Sequence, residues 1–153
     1  MTIIDETRVR TAAPIAVKVA VPVQDHGPDT RPAAHPDVRA RVREVYARVD
    51  AGDVAGLLEL FSEDVVYERP GYPPLSGKAA FEGFYRKARV IREGVHTPDS
   101  VVVDGEGRVA VQGRFEGVLK DGREVRLRYA DFFRVGQDGL FERRDTYFFA
   151  AMV

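Results

Sequence analysis

The segment Tyr67-Glu68-Arg69-Pro70-Gly71-Tyr72-Pro73-Pro74-Leu75-Ser76-Gly77 and the aromatic residues after it decide the fold of this chain. The apolar residues 65–67 predict a short strand. The three prolines and two glycines that follow cannot continue a hydrogen-bonded ladder. The next stretch has a helical pattern, because Phe81, Phe84 and Tyr85 recur at i, i+3 and i+4. A strand that ends in a tyrosine and an arginine and then turns under a helix forms one wall of a pocket.

The composition is that of a soluble globular protein of one domain plus a tail, with 153 residues, 44% of them hydrophobic. The net charge of −1 is spread along the chain, so we expect no nucleic acid partner and no membrane partner. The absence of cysteine excludes disulfides, and the three histidines lack metal-ligand spacing. We therefore expect no metal and no other cofactor. A bilayer-spanning stretch and a basic signal-peptide region are both lacking, which favours the cytoplasm.

Residues 1–36 differ in pattern from the rest and are interpreted as an N-terminal arm and linker. Alternating valines between residues 17 and 23 favour an extended arm that pairs along a sheet edge or a partner subunit. The Pro- and Asp-rich stretch 25–36 equally fits a disordered tail, and both alternatives stay open. The compact domain is predicted over residues 37–153.

Within that domain the pattern predicts three helices and then a series of strands. Asp37 and Asp53 are suited to cap helices that run to Val49 and Phe61, and a third helix is predicted from Lys78 to about Ile91. Later the hydrophobic period falls to two, and Asp-Gly pairs mark the turns. The predicted strands are 100–104, 108–119, 124–135 and 140–152. His96 is expected in an exposed loop or strand start. This order predicts an α+β domain in which a curved sheet wraps over the helices.

The Asp121-Gly122 pair predicts a two-residue turn in which Lys120 faces Arg123. Cross-strand partners share a face of the sheet, so this register defines one chemically unusual face. That face carries Gln112, Arg114, Glu116, Leu127, Tyr129 and Asp131. Two interpretations stay open for its charged residues: a solvated Arg114–Glu116 ion pair, or a set of groups that line a cavity.

Five segments, in their order and spacing, resemble the group of ketosteroid isomerases, SnoaL-like polyketide cyclases and limonene epoxide hydrolases. The segments are Val49-Asp50-Ala51-Gly52-Asp53, Tyr67-Glu68-Arg69-Pro70, Pro73-Pro74-Leu75-Ser76-Gly77, Phe84-Tyr85 and Ala130-Asp131-Phe132-Phe133-Arg134. The resemblance implies the nuclear-transport-factor-2-like fold over residues 38–149. In that fold a cone-shaped barrel of mostly antiparallel sheet wraps over three N-terminal helices. It also implies a homodimer formed through the outer sheet face.

In the ketosteroid isomerases a first-helix tyrosine and a protonated Asp stabilise an enolate, and a second Asp moves the proton (a worked example of pKa tuning). By the resemblance, Asp131 falls on the enolate-stabilising Asp. The tyrosine falls on Val45, with Tyr46 one residue further and rotated by about 100° around the helix. The proton-moving Asp falls on Arg69, which stays cationic and cannot act as that base.

The limonene epoxide hydrolases use an Arg-x-Asp pair, a second Asp on the last strand, a Tyr and an Asn. The segment Arg114-Phe115-Glu116 resembles the Arg-x-Asp pair, and Tyr67 matches the Tyr. Arg69 replaces the Asn. The last-strand Asp falls on Thr146 or on Asp145, and these neighbours face opposite sides of a strand.

The predicted site combines both comparisons. The residues predicted to be catalytic are Asp131, Glu116, Arg114, Arg69 and Tyr67. Those predicted to bind substrate are Tyr46, Phe61, Tyr72, Phe84, Tyr129, Arg144 and Phe148. The expected substrate is a small molecule with an apolar body and a carbonyl, hydroxyl or epoxide group.

Three functions fit these residues. The first is a cofactor-independent acid–base enzyme, a cyclase or isomerase of a polyketide-like compound in a biosynthetic pathway. The second is an epoxide hydrolase or epoxide-opening cyclase, which needs Asp145 or Thr146 to face Arg114 and Glu116. The third is a non-catalytic domain that binds small molecules, because a fold alone does not fix a function.

Overall fold

The computed structural model describes residues 37–149, so the predicted arm 1–36 lies outside the described residues. The helices are α1 (Val38–Ala51), α2 (Val54–Leu58) and α3 (Lys78–Gly83), and α3 continues as a π-helical turn, Phe84–Ala88. The strands are β1 (Phe61–Glu68), β2 (Leu75–Ser76), β3 (Ile91–Val103), β4 (Arg108–Leu119), β5 (Glu124–Val135) and β6 (Phe141–Phe149). None of the helices in the described part is long and apolar enough to cross a membrane.

The first two helices begin at the predicted caps. An oxygen of Asp37 accepts a hydrogen bond from the Arg39 backbone N–H at 3.0 Å, and Asp53 accepts one from Gly56 at 2.9 Å. Gly52 ends α1 with φ of 68°, a left-handed conformation that suits glycine. The predicted end of α2 at Phe61 is wrong, because α2 stops at Leu58 and Phe61 opens β1.

The six strands form one sheet in the order β2-β1-β6-β5-β4-β3. Only the β1–β6 pair is parallel, and the other four pairs are antiparallel. The domain is therefore α+β with a mostly antiparallel sheet. The core contains apolar residues from α1, α3 and one face of the sheet, and its largest fully buried side chains include Tyr67, Phe61, Phe81, Phe115 and Phe141.

The segment between α3 and β4 differs most from the sequence prediction. The predicted helix to Ile91 ends earlier, and Ile91 instead begins a strand of 13 residues that contains His96. Among residues 37–149, this strand lies at the edge of the sheet and pairs with β4 alone. Proline cannot donate a ladder hydrogen bond and would interrupt a central strand, but an edge strand tolerates it, as here at Pro98. The pairing register shifts just after this residue. Thus His96 is a strand residue, and only 11% of its side chain is exposed.

The turn between β4 and β5 contains three residues, and the predicted register is wrong by one position. The Leu119 N–H donates to the Arg123 carbonyl at 2.9 Å, which leaves Lys120, Asp121 and Gly122 in the loop. Gly122 has φ of 90°, as expected of a three-residue hairpin loop with glycine at its left-handed position. Glu116 therefore pairs with Arg126 instead of Leu127.

This shift reverses the predicted face of β4 and leaves that of β5 unchanged. The buried face of β4 carries Val111, Gly113 and Phe115. Tyr129 and Asp131 of β5 are buried as well. The β4 residues that were predicted to share this face, among them Arg114 and Glu116, instead point outward and are exposed.

Gly113 is required by the close approach of the Tyr129 ring. A Cβ atom at position 113 would lie 2.7 Å from the Tyr129 hydroxyl oxygen and 2.7 Å from the backbone carbonyl of Thr97. We expect Gly113→Ala to destabilise the fold by about 1–3 kcal/mol, because overpacking forces shifts in backbone and side chain. Urea unfolding measures this change.

The matched control is Gly105→Ala, since a Cβ there meets no atom within 4 Å and the φ angle is not positive. A loss of stability as large in Gly105→Ala as in Gly113→Ala would refute the packing explanation.

Candidate active site

The site is centred on Asp131 of β5, whose side chain is 0% exposed. Its Oδ2 atom accepts hydrogen bonds from the Tyr46 hydroxyl at 2.8 Å and from Nη2 of Arg144 at 2.7 Å. Its Oδ1 atom accepts a short hydrogen bond from the Thr146 hydroxyl. Three donors from α1 and β6 therefore satisfy this carboxylate, which would otherwise be costly to bury.

Arg144 of β6 is the counter-charge of Asp131 and is itself buried, with 4% of its side chain exposed. Its Nη1 atom donates to the Tyr85 hydroxyl at 2.9 Å. Its guanidinium carbon lies 5.1 Å from the ring centroid of Tyr67 and 5.7 Å from that of Tyr46. Burial is the largest single influence and opposes the charge of Arg144, but Asp131 and the tyrosines Tyr85, Tyr67 and Tyr46 together outweigh it, and the pKa of Arg144 lies well above its ordinary value. The guanidinium of Arg144 therefore stays charged in the interior.

Tyrosine hydroxyls surround this ion pair and remain protonated. Burial, reinforced by the negative charge of Asp131, raises the pKa of Tyr46 and of Tyr129 above the usual 10.0. Burial likewise raises the pKa of Tyr85. The Tyr129 hydroxyl is buried and has no hydrogen-bond partner within residues 37–149. It is consequently a donor free to bind an oxygen atom of a ligand.

A cavity of about 20 Å³ lies beside these groups. This volume holds about one water molecule. Both charges of the ion pair face it, and its half-buried lining side chains belong to Arg69, Tyr85, Arg89, Ile91, His96 and Phe148. A ligand larger than water enters only if some of these side chains move outward.

Arg69, at the end of β1, lies among three aromatic rings. Its guanidinium carbon is 4.9 Å from the ring centroid of Phe84, 5.2 Å from that of Tyr72 and 5.3 Å from that of Phe148. Its Nε atom is buried without a hydrogen-bond partner in the described part of the chain. The rings stabilise the cation by cation–π attraction and leave a donor available.

A second polar pair lines the site, formed by His96 of β3 and Asp50 at the end of α1. Nδ1 of His96 lies 2.5 Å from Oδ1 of Asp50, and the backbone N–H of residue 96 donates to Oδ2 at 2.8 Å. The imidazole stacks on the Tyr46 ring, with centroids 5.1 Å apart. Burial lowers the pKa of His96 below its ordinary 6.5, and Asp50 opposes that shift only in part.

Two of the predicted catalytic residues lie outside the cavity. Arg114 is 62% exposed and pairs with Asp99 at 3.0 Å. Glu116 is 71% exposed and lies 3.8 Å from Arg126. The prediction that they line the cavity is wrong because the three-residue turn rotates them to the outer face. Neither interpretation of these charges holds as stated: the two residues do not line the cavity, and although both are solvated, Arg114 pairs with Asp99 and Glu116 with Arg126 instead of with each other.

The structure also shows which of the neighbours Asp145 and Thr146 faces the cavity. Thr146 is buried, faces the cavity and lies 3.3 Å from the Tyr67 hydroxyl. Asp145 instead pairs with Arg143 at 2.8 Å and lines a different pocket, on the outer face. Arg114 and Glu116 do not face Thr146, so these residues do not form the water-activating arrangement that the resemblance implied.

The remaining predicted residues divide into three groups. Tyr67, Tyr129, Arg144 and Phe148 line the cavity, and Tyr46 reaches it through Asp131. Tyr72 and Phe84 contact Arg69 instead, and the Tyr72 hydroxyl donates to the Ala88 carbonyl at 3.2 Å. Phe61 is a core residue, because its ring packs on Phe81 and Phe141 at centroid distances of 4.6 and 5.4 Å.

Sequence reasoning missed Asp50, His96 and Tyr85 as residues of the site, and it left open whether Thr146 or Asp145 faces the cavity. Asp50 lies one residue beyond Val49, where the first helix was predicted to end, and no local pattern marked it as a residue of the site. His96 was missed because its strand was not predicted. Within residues 37–149 there is no group of three His, Asp or Glu side chains placed to hold a metal ion.

Residues 42–144 match the SnoaL-like domain family. The match covers more than half of the chain, and the protein belongs to this family. No curated protein matches the chain in sequence.

Solved structures share the fold at low sequence identity. One is the epoxide hydrolase/cyclase-like enzyme SalBIII of salinomycin pyran ring formation (20% identity, TM-score 0.65, 73% of this chain and 90% of that one). Another is a Mycobacterium tuberculosis protein in complex with estradiol-17β-hemisuccinate (20% identity, TM-score 0.64), and the match covers 72% of this chain and 92% of that one. A third is the Δ5-3-ketosteroid isomerase of Mycobacterium sp. (24% identity, TM-score 0.63), and the match covers 72% of this chain and 91% of that one. These likenesses establish the nuclear-transport-factor-2-like fold.

Removal of the charge at Asp131 tests the ion pair. We expect Asp131→Asn to lower the free energy of unfolding by about 3–5 kcal/mol, because Arg144 keeps a buried charge without its partner. Chemical denaturation followed by circular dichroism measures the loss.

Glu116→Gln is the control, since this carboxylate is exposed and contributes little. Equal stability of Asp131→Asn and the wild-type protein would contradict the assignment of Asp131 as the partner that compensates Arg144.

Proposed function

We propose that the protein is a cofactor-independent acid–base enzyme, a cyclase or isomerase that acts on a polyketide-like small molecule of a biosynthetic pathway. The supporting observation is the buried Asp131–Arg144 pair ringed by tyrosine hydroxyls, one of which, that of Tyr129, lacks a partner among residues 37–149. Buried polar groups without partners and groups with shifted pKa values cluster at functional sites. The substrate has an apolar body and a carbonyl oxygen that this hydroxyl binds.

The proposed role of Asp131 is to position other groups. Its oxygens accept three hydrogen bonds, and it is fully buried. It therefore orients Tyr46 and Arg144 and supplies the charge that keeps the guanidinium in the interior. We do not propose this carboxylate as the base, because three of its roughly four acceptor positions are in use and its side chain is fully buried.

Arg69 and Tyr129 are proposed to stabilise the negative oxygen that develops when a carbonyl is converted to an enolate. Both offer an unpartnered buried donor atom within the described part of the chain. Such donors are effective because they are oriented before the reaction and water is excluded around them. Tyr67, which lines the same cavity, completes this wall of the site.

Substrate binding requires the cavity to open. Small-molecule pockets usually measure about 300–1,000 Å³, far more than the cavity here. Arg69, Arg89 and Phe148 are half-buried side chains of the cavity lining. We propose that they move apart when an apolar ligand enters.

A second candidate function is non-catalytic binding of a small molecule. The observation that favours it is Arg69 itself, a cation where the resembled isomerases carry a proton-moving carboxylate. Its three aromatic neighbours form a site suited to an apolar anion. The steroid hemisuccinate bound to the M. tuberculosis protein of the same fold is such a ligand.

The outer sheet face supports the further proposal of a homodimer. Phe132, Tyr147 and Phe149 are 48%, 57% and 72% exposed, and the first two rings pack edge to face with centroids 5.8 Å apart. Val102 of β3, a strand that β4 separates from β5, is 59% exposed. A contiguous exposed apolar patch of this kind is typical of an interaction surface.

Binding of 2-naphthol tests the proposed site, because this phenol combines an apolar bicyclic body with an oxygen that mimics an enolate. We expect Tyr129→Phe to weaken its binding about tenfold, which corresponds to the roughly 1.4 kcal/mol of one lost hydrogen bond. Naphthol fluorescence in a titration gives the dissociation constants.

The matched control is Tyr147→Phe, which removes the same hydroxyl from an exposed tyrosine of the outer face. If the wild-type protein binds 2-naphthol no more tightly than Tyr129→Phe does, the assignment of the Tyr129 hydroxyl to the binding site is wrong. Tight binding of the naphthol without turnover of any ketone would favour the non-catalytic candidate.

Replacement of Phe149 tests the dimer. We expect the wild-type chain to have about twice its mass of 17.1 kDa in solution, and Phe149→Glu to lower that mass, because a charge placed in an apolar interface loses its water. Size-exclusion chromatography with light scattering measures both. A wild-type monomer would refute the dimer.

A further inference from the structure

We propose that Asp50 and His96 form the proton-accepting pair of the site, with Nε2 of His96 as the base that faces the ligand. The inference rests on the proposed function and names the group that removes the proton. It follows from the geometry of a pair that sequence patterns did not reveal.

The tautomer of His96 is fixed by its contact with Asp50. A carboxylate only accepts hydrogen bonds, so Nδ1, 2.5 Å from Oδ1 of Asp50, carries the proton and donates it. Nε2 of a neutral imidazole is then the unprotonated nitrogen. The backbone N–H of residue 96 donates to Oδ2 of Asp50 at 2.8 Å, so both carboxylate oxygens are hydrogen-bonded to the same residue.

Aromatic rings fix the orientation of the imidazole. It stacks on Tyr46 with an interplanar angle of 23°, and its centroid lies 4.6 Å from the Phe115 ring and 5.5 Å from the Tyr129 ring. His96 lines the same cavity as Tyr129. A base held in this way lies beside the hydroxyl proposed to bind the carbonyl oxygen, and such juxtaposition is what general base catalysis requires.

Charged and titratable groups face His96 from several elements. Burial lowers its pKa below 6.5, Arg144 acts in the same direction, and Asp50 and Asp131 oppose them. The imidazole is therefore neutral near pH 7 and able to accept a proton. The other titratable groups packed around it or lining the cavity are Tyr46, Tyr129 and Arg89.

The proposed step is balanced without any further reactant. Nε2 of His96 removes a proton from the carbon next to the carbonyl, the C–H bond breaks, and its electron pair forms an enolate. The enolate oxygen accepts the hydrogen bond from Tyr129, and Asp50 stabilises the imidazolium. The proton then returns to another carbon in an isomerisation. In a cyclisation it goes to the alkoxide that forms when the enolate carbon attacks a second carbonyl.

Exchange of the α-hydrogens of 2-tetralone for deuterium in D₂O, followed by NMR, tests the step. We expect the wild-type protein to accelerate exchange and His96→Asn to slow it by about 10²- to 10⁴-fold. Asparagine retains a donor to Asp50 but lacks Nε2, so the loss reports the base. Glu116→Gln, on the outer face, should exchange at the wild-type rate.

The pH profile separates a base from a structural residue. With the wild-type protein, exchange should rise with pH through the pKa of His96, below 6.5. Because Asp50 raises that pKa, Asp50→Asn should move the acidic limb to lower pH and also reduce the plateau rate. A limb at the same pH in both proteins would overturn the pairing.

Long-range ¹H–¹⁵N NMR of the free protein reads the tautomer without a ligand. We expect the Nδ1–H form, and the Nε2–H form would overturn the inference. If His96→Asn exchanged the α-hydrogens of 2-tetralone at the wild-type rate and still bound 2-naphthol, the assignment of His96 as the base would be overturned. The proposed function would not be affected by that result. If the wild-type protein gives no exchange although it binds 2-naphthol, the enzyme function fails as well.

Discussion

The ion pair between Asp131 and Arg144 is the constraint on which the rest of the domain depends. Two charges lie inside the fold at 0% and 4% exposure, and each is stable there only because the other is present. The pair fixes β5 against β6, and its remaining hydrogen bonds reach Tyr46 on α1 and Tyr85 on the π-helical turn. Helices and sheet are thereby joined through one polar centre. The same charges set the electrostatic environment of the tyrosines and of His96 in the cavity.

The sequence predicted the α+β class, both capped helices and the full extents of β4 and β5, because capping residues and Asp-Gly turns are local signals. The face of β4 could not be predicted from them. Gly122 allows either a two- or a three-residue loop, and one residue of difference transfers Arg114 and Glu116 from the cavity to solvent. The alternation of Val111, Gly113 and Phe115 was the better guide, since it marks a buried face whatever the turn.

The site was predictable in part. The resemblance drew attention to Asp131, Tyr67 and Arg69, and the structure brings Asp131 and Tyr67 together with Thr146. His96 and Asp50 were not found, because 46 residues separate them and edge strand β3 has a weak pattern interrupted by Pro98. A contact of that kind depends on the packing of α1 against the sheet. Local pattern does not encode it.

Glycines along β3 and β4 determine how much space the cavity has. Gly113 and Gly117 flank Phe115 on the inner face of β4, and together with Gly94 they leave room that the rings of Phe115 and Tyr129 occupy. The volume that the backbone provides is thus larger than the volume left empty, and the rings of Phe115 and Tyr129 occupy part of the difference. A change of either ring to a smaller residue would enlarge the binding space while the strands stay in place. Ligand size in this fold can therefore diverge through these two positions without any change in topology.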